Sequence, residues 1–170
     1  GSIADVSEII RITVSTRKNT PNPYYVLRIL GKERVESRIN KIIEKLSSEY
    51  EFVDLGTNSN ESVDYPTYAF NLCKEVLKAN SVGILVCGTG FGMAIAANKV
   101  KGIRATNIID PKMASLAKEH NNCNVITLSG RFNTLENNID IIHNFMNATF
   151  DGNSDVGKRH QRRIDLIDKY

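Results

Sequence analysis

The sequence has no tryptophan, four prolines and three cysteines in 170 residues. So little proline leaves no room for an extended Pro-rich linker. The cysteines, at positions 73, 87 and 123, are odd in number and scattered. They frame neither a disulfide scaffold nor a regularly spaced metal site, and a reducing, cytoplasmic setting is the expectation. No apolar run approaches the roughly 20 residues that a helix needs to cross a bilayer. No basic segment followed by an apolar one marks a signal peptide at the N-terminus. The formal net charge is +3, too mild to imply a nucleic-acid partner, and the basic stretch near the C-terminus has no aromatic residue before Tyr170.

What is present is an ordinary globular balance, 41% apolar and 24% charged residues. That supply of apolar side chains is enough for one domain with a sizeable core. From about Val35 the chain alternates between two periods. Val35, Ile39, Ile42, Ile43 and Leu46 recur at helical spacing, and a short apolar segment follows over 51–55. A helix is expected over 68–78, then a strand over 81–87 whose continuous apolar run suits burial on both sides. The unit repeats: a short Ala-rich helix over 93–99, a strand over 103–109, a helix from Pro111 to about His120, and a strand over 124–128. Two further helices are expected, one marked by Leu135, Ile139, Ile142 and Met146, the last over 155–169. The alternation predicts an α/β fold, a Rossmann-like three-layer sandwich with a mainly parallel five-stranded sheet. The N-terminus offers two candidates for its first strand, 10–15 and 24–30. The first is favoured, which makes the region about 16–34 an insertion.

In such a fold ligands gather beyond the carboxyl ends of the strands. There stands Cys87-Gly88-Thr89-Gly90-Phe91-Gly92-Met93, at a strand end and opening a helix. Alternate glycines let the backbone bend tightly and present N–H groups to an anion. The spacing is neither the dinucleotide fingerprint nor a Walker loop, and an oxyanion such as an enediolate is the ligand it suits. A thiol at a helix N-terminus could serve as a base, or Cys87 could be a small buried hydrophobe. Cys73 and Cys123 read as core. His120, with Asn121 after it, could trade protons with a sugar oxygen or simply favour a helix C-terminus. Asp64 reads as a helix cap, leaving Tyr65 free to line a pocket. Lys158-Arg159-His160-Gln161-Arg162-Arg163 places four full positive charges within six residues. It reads as a solvated helix start or as an anion site, and Arg131 with Arg159 and Arg163 could together grip a phosphate.

These pieces, with Asp54-Leu55-Gly56-Thr57, Glu61-Ser62-Val63-Asp64-Tyr65-Pro66, Ala96-Ala97-Asn98-Lys99-Val100, Gly102-Ile103-Arg104-Ala105 and Asn124-Val125, resemble the type B ribose-5-phosphate isomerase family and its hexose-phosphate relatives. The resemblance implies a metal-independent aldose–ketose isomerisation of ribose 5-phosphate and ribulose 5-phosphate, with no cofactor. It implies Cys87 as the base, Thr89 beside it, and Gly88, Gly90, Phe91 and Gly92 as the cradle for the enediolate. His120 would open the sugar ring, Asn121 and Tyr65 would contact the sugar, and Arg131, Arg159 and Arg163 would hold the phosphate. It also implies a homodimer or a dimer of dimers, with sites between subunits. One departure stands out. The family's first strand ends in an Asp-His pair, and none occurs in the first fifty residues; Arg17-Lys18 or Gly31-Lys32 stands there instead. A sugar-phosphate binder without turnover, or an enzyme for a hexose phosphate, is the alternative this leaves.

Overall fold

The computed structural model describes residues 9–14, 24–30, 33–56 and 63–170, with side chains from Asn40 onward. In chain order the elements are β1 (Ile9–Val14), β2 (Tyr24–Leu30), α1 (Glu33–Leu46), β3 (Phe52–Asp54), α2 (Tyr65–Ala79), β4 (Val82–Cys87), α3 (Phe91–Ala97), β5 (Ala105–Asn107), α4 (Pro111–Asn121), β6 (Val125–Ser129), α5 (Leu135–Asn147) and α6 (Lys158–Lys169). The strand order is β3-β2-β1-β4-β6-β5, with β2 also paired to β4. Strands β2 to β6 pair in parallel, while β1 is antiparallel to both β2 and β4. The expected five-stranded parallel sheet is therefore present, with one antiparallel strand added.

That addition corrects the reading of the N-terminus. The first parallel strand is Tyr24–Leu30, not the segment at 10–15. Helix α1 begins at Glu33, close after Leu30, as a compact βα unit requires. Arg17-Lys18, Gly31-Lys32 and most of the insertion read at 16–34 lie outside the described residues.

Right-handed crossovers set the layers. The step from β2 to β3 and the step from β5 to β6 run one way along the sheet, and the steps β3 to β4 and β4 to β5 run the other. Helices α1 and α4 thus cover one face and α2 and α3 the opposite one. The packing agrees: α2 lies against α3, while α5 lies against both α4 and α1. Between the layers β4 and β6 are buried along their whole lengths. Leu72 and Val76 of α2 approach β4 so closely that a Cβ at Gly83 would come 2.5 and 2.9 Å from their methyl groups.

Helix starts follow local chemistry. Asp110 Oδ1 accepts from the N–H groups of Lys112 and Met113, and Pro111 fills the first turn of α4. Thr134 caps α5 through the Asn137 N–H, at 3.0 Å. Helix α2 begins at Tyr65, three residues earlier than the apolar pattern suggests. Asp64 holds the capping position as expected, yet its side chain makes no capping hydrogen bond. Strand β5 is shorter than the 103–109 read from the sequence, because it lies at the sheet edge and pairs only with β6. Ile103 and Ile108 flank it as buried coil.

Candidate active site

The strand order reverses around β2 and β4, and the loop leaving β4 opens onto that crevice. Cys87 ends β4 and is 9% exposed. Its Sγ accepts the Gly90 N–H at 3.0 Å, which fixes the sulfur against the loop. Gly90 has φ +86°, and a Cβ there would also collide with the Asn107 side-chain amide. Two independent reasons thus demand glycine. The Thr89 hydroxyl accepts the Phe91 N–H at 3.3 Å. Since α3 is only seven residues long, loop and first-turn amides, more than a macrodipole, are what this loop can offer a negative charge.

Two further side chains close on the loop. The Tyr65 ring lies over Gly92, 2.7 Å from where a Cβ would stand, and the Arg131 guanidinium lies 3.1 Å from the equivalent point at Gly88. The loop after β6 is stitched to the glycine loop. Ser129 Oγ and the Arg131 N–H both donate to the Gly88 carbonyl, at 2.8 and 3.2 Å, and the Gly130 N–H donates to that of Cys87.

The remaining candidates form a second cluster. His120 and Asn121 end α4, and their side chains line a cavity of about 650 Å³ with Arg104, His160 and Arg163. The rings of His120 and His160 stack with centroids 4.3 Å apart. His160 is 4% exposed; its Nδ1 lies 2.7 Å from Asp151 Oδ1, and its Nε2 accepts the Arg159 Nε–H at 3.0 Å. A nitrogen that accepts from a guanidinium carries no proton, so the network assigns the ring proton to Nδ1.

The two clusters sit at opposite ends of the strands, one beyond the carboxyl ends and the other beside the amino ends. Helix α4 runs back from the strand ends, so His120 and Asn121 come just before β6 begins at Val125. Cys87 is in register with Ser129, where β6 ends. Four residue steps of about 3.3 Å make that separation about 13 Å along the strand alone. One chain therefore groups Tyr65, Cys87 to Gly92 and Arg131, and separately His120, Asn121, Arg159 and Arg163. It does not bring Arg131 to Arg159 and Arg163, and His120 is not on a post-strand loop.

Cys73 and Cys123 are buried core residues, as read. Burial pushes the Cys73 thiol up to about 12. It pushes Cys123 up to about 11 against the opposing pull of Arg104 and Lys118. Sequence reasoning gave no role to Asp151 or His160. Their pairing links a loop to a helix across eight intervening residues, a spacing that follows no periodicity, so only the fold reveals it.

A family model for ribose/galactose isomerases matches residues 31–167, a span that contains every candidate site residue. The chain belongs to the ribose/galactose isomerase family. Relatives in that family include ribose-5-phosphate isomerase B of Escherichia coli, 40% identical over 118 residues, which covers 69% of this chain and 76% of the relative. Among solved structures, ribose-5-phosphate isomerase B of Mycoplasma genitalium with bound ribulose-5-phosphate superposes with a TM-score of 0.72 at 43% identity, covering 79% of this chain and 88% of that one. A ribose 5-phosphate isomerase of Thermotoga maritima gives 0.70 at 42% identity, covering 80% and 90%. As a member of the ribose/galactose isomerase family the protein is an isomerase, and no described helix is long and apolar enough to cross a membrane.

Proposed function

We propose that the protein interconverts ribose 5-phosphate and ribulose 5-phosphate in the cytoplasm, at a site built from two copies of the chain. The observation that carries this reading is the division of chemistry between the two ends of the strands. One end offers a base, an oxyanion cradle and one arginine; the other offers a histidine, an amide and two arginines. Neither half alone suffices for ring opening and proton transfer. Facing halves from two protomers supply both, and the symmetry of a homodimer makes two such sites. Exposed Phe91, Ile95 and Phe132, at 61, 66 and 78%, border the Cys87 half and give that end apolar surface for a partner protomer. A dimer of dimers would repeat the same contact.

In this scheme His120 of one protomer gives a proton to the ring oxygen as the furanose opens, while the 1-hydroxyl passes its own proton to solvent water, leaving the open-chain aldehyde. Cys87 of the other removes the proton from C2, and the electron pair left behind forms the enediolate. The Thr89 hydroxyl and the amides of Gly88, Thr89 and Gly92 hold its oxygens, while the Gly90 and Phe91 amides hold Cys87 Sγ and Thr89 Oγ in place. Returning the proton to C1, with the hydroxyl proton passing from O2 to O1, completes the ketose. Asn121 and Tyr65 contact the sugar, and Arg131, Arg159 and Arg163 hold the phosphate. Relocating protons calls for no redox cofactor and no metal.

The test is ribulose 5-phosphate formation by the wild-type protein and by Cys87→Ala. Turnover that disappears in Cys87→Ala while the melting temperature holds supports the assignment; an active Cys87→Ala protein removes Cys87 as the base. Hexose 6-phosphates assayed alongside decide whether a longer sugar is preferred.

A further inference from the structure

Beside His120 lies a pair, Asp151 and His160, to which the proposed chemistry gives no role and which reaches the phosphate-binding Arg159. Asp151 holds Nδ1 of His160, and Nε2 of His160 receives the Nε–H of Arg159. The unit is anchored at both ends. The Asp151 N–H donates to the carbonyl of Glu119, the residue before His120, at 3.1 Å, and the His160 N–H donates to Gly157 at 2.7 Å. A Cβ at Gly157 would collide with the Asp151 carbonyl, so the loop can lie this close to α6 only over a glycine. Ligand atoms of His120, Asp151 and His160 come within 4.8 Å of one another, a spacing open to a metal ion. Yet both nitrogens of His160 are engaged, one of them by a guanidinium that would repel a cation.

We infer that His160, its tautomer set by Asp151, is a positioning residue that aims Arg159 at the substrate phosphate. The inference rests on the phosphate role proposed for Arg159. With 4% of its surface exposed, His160 acts through its neighbours. A guanidinium carries five N–H donors in one rigid plane. Committing Nε to His160 fixes that plane and leaves both Nη groups for the bidentate grip of a dianion. An exposed arginine without this acceptor would have to order a long side chain on every binding event, which weakens the grip.

The test is steady-state kinetics on ribose 5-phosphate with His160→Asn, His160→Gln, Arg159→Ala and the double variant Arg159→Ala/His160→Asn, each checked by thermal melting. Asparagine can place an N–H toward Asp151 but offers Arg159 no acceptor; glutamine can place its carbonyl where Nε2 stands. His160→Asn is expected to raise KM about tenfold, the cost of losing a hydrogen bond to a charged group. His160→Gln is expected to hold KM within about twofold, with kcat little changed in both. The double variant is expected to match Arg159→Ala alone, because the two residues act as one unit. A wild-type KM in His160→Asn, or effects that multiply in the double variant, overturns the positioning role while the function reading stands. A wild-type KM in Arg159→Ala overturns the phosphate role itself. A merely structural His160 would lower melting temperatures in both variants and leave KM in place.

Discussion

Replacing Gly90 by alanine strikes the point where backbone geometry and chemistry meet. At φ +86° an L-residue carries about 1–2 kcal/mol of strain. The new Cβ would also land on Asn107 Oδ1, which accepts a 2.9 Å hydrogen bond from Thr127 Oγ1. Moving that amide costs about 1 kcal/mol more for the broken bond. The sum is about 2–3 kcal/mol, or about 4–12 °C in melting temperature for a chain of this size. Activity of the folded protein should fall as well, because the Gly90 N–H fixes the Cys87 sulfur. Alanine keeps that N–H but displaces it with the strained backbone, and losing its hydrogen bond to the sulfur is worth about tenfold in kcat. Thermal melting at fixed protein concentration, with kcat on ribose 5-phosphate, reads both quantities. A Gly90→Ala protein with wild-type melting and wild-type kcat would refute the geometry assigned to this loop.

Gly83→Ala overpacks the contact with Leu72 and Val76 and should cost about 1–3 kcal/mol while leaving the turnover of folded protein unchanged, as urea unfolding alongside activity would establish. The buried thiols make stability fall in alkali. Cys73 and Cys123 titrate near 9.0 when unfolded but at about 12 and about 11 when folded. Above 9.0 the unfolded chain therefore holds fewer protons than the folded one, and stability declines as pH rises toward 11. Cys73→Ala should flatten that decline in urea midpoints measured across the range; an unchanged slope contradicts the burial.

Most of the parallel frame was legible because each element carried its own signal. Pro111 announces the start of α4, and the unbroken apolar run of β4 announces a strand with both faces covered. Where two segments had equal local claims, as at 10–15 and 24–30, pattern alone chose wrongly. Parallel pairing with β3 and β4 decides between them, and that is a long-range fact. The site divides in the same way. The glycine loop, Cys87 and Tyr65 belong together by local geometry. The sequence order of His120, Arg131 and Arg159 conceals that Arg131 lies at the opposite end of the strands from the other two. The pairing of Asp151 with His160 left no trace, since their contact depends on how a loop folds back over Gly157.

Mixing two inactive variants tests the shared site most directly. Cys87→Ala lacks the base and His120→Ala lacks the ring-opening group, so each alone should be inactive on the furanose form of ribose 5-phosphate. If each site takes Cys87 from one protomer and His120 from its partner, a mixed dimer has one site missing both groups and one site intact. With subunits exchanged at equal amounts, half of the dimers are mixed, and activity should return to about a quarter of the wild-type value. No recovery, with subunit exchange verified by mass, would place both groups on one chain and contradict the account.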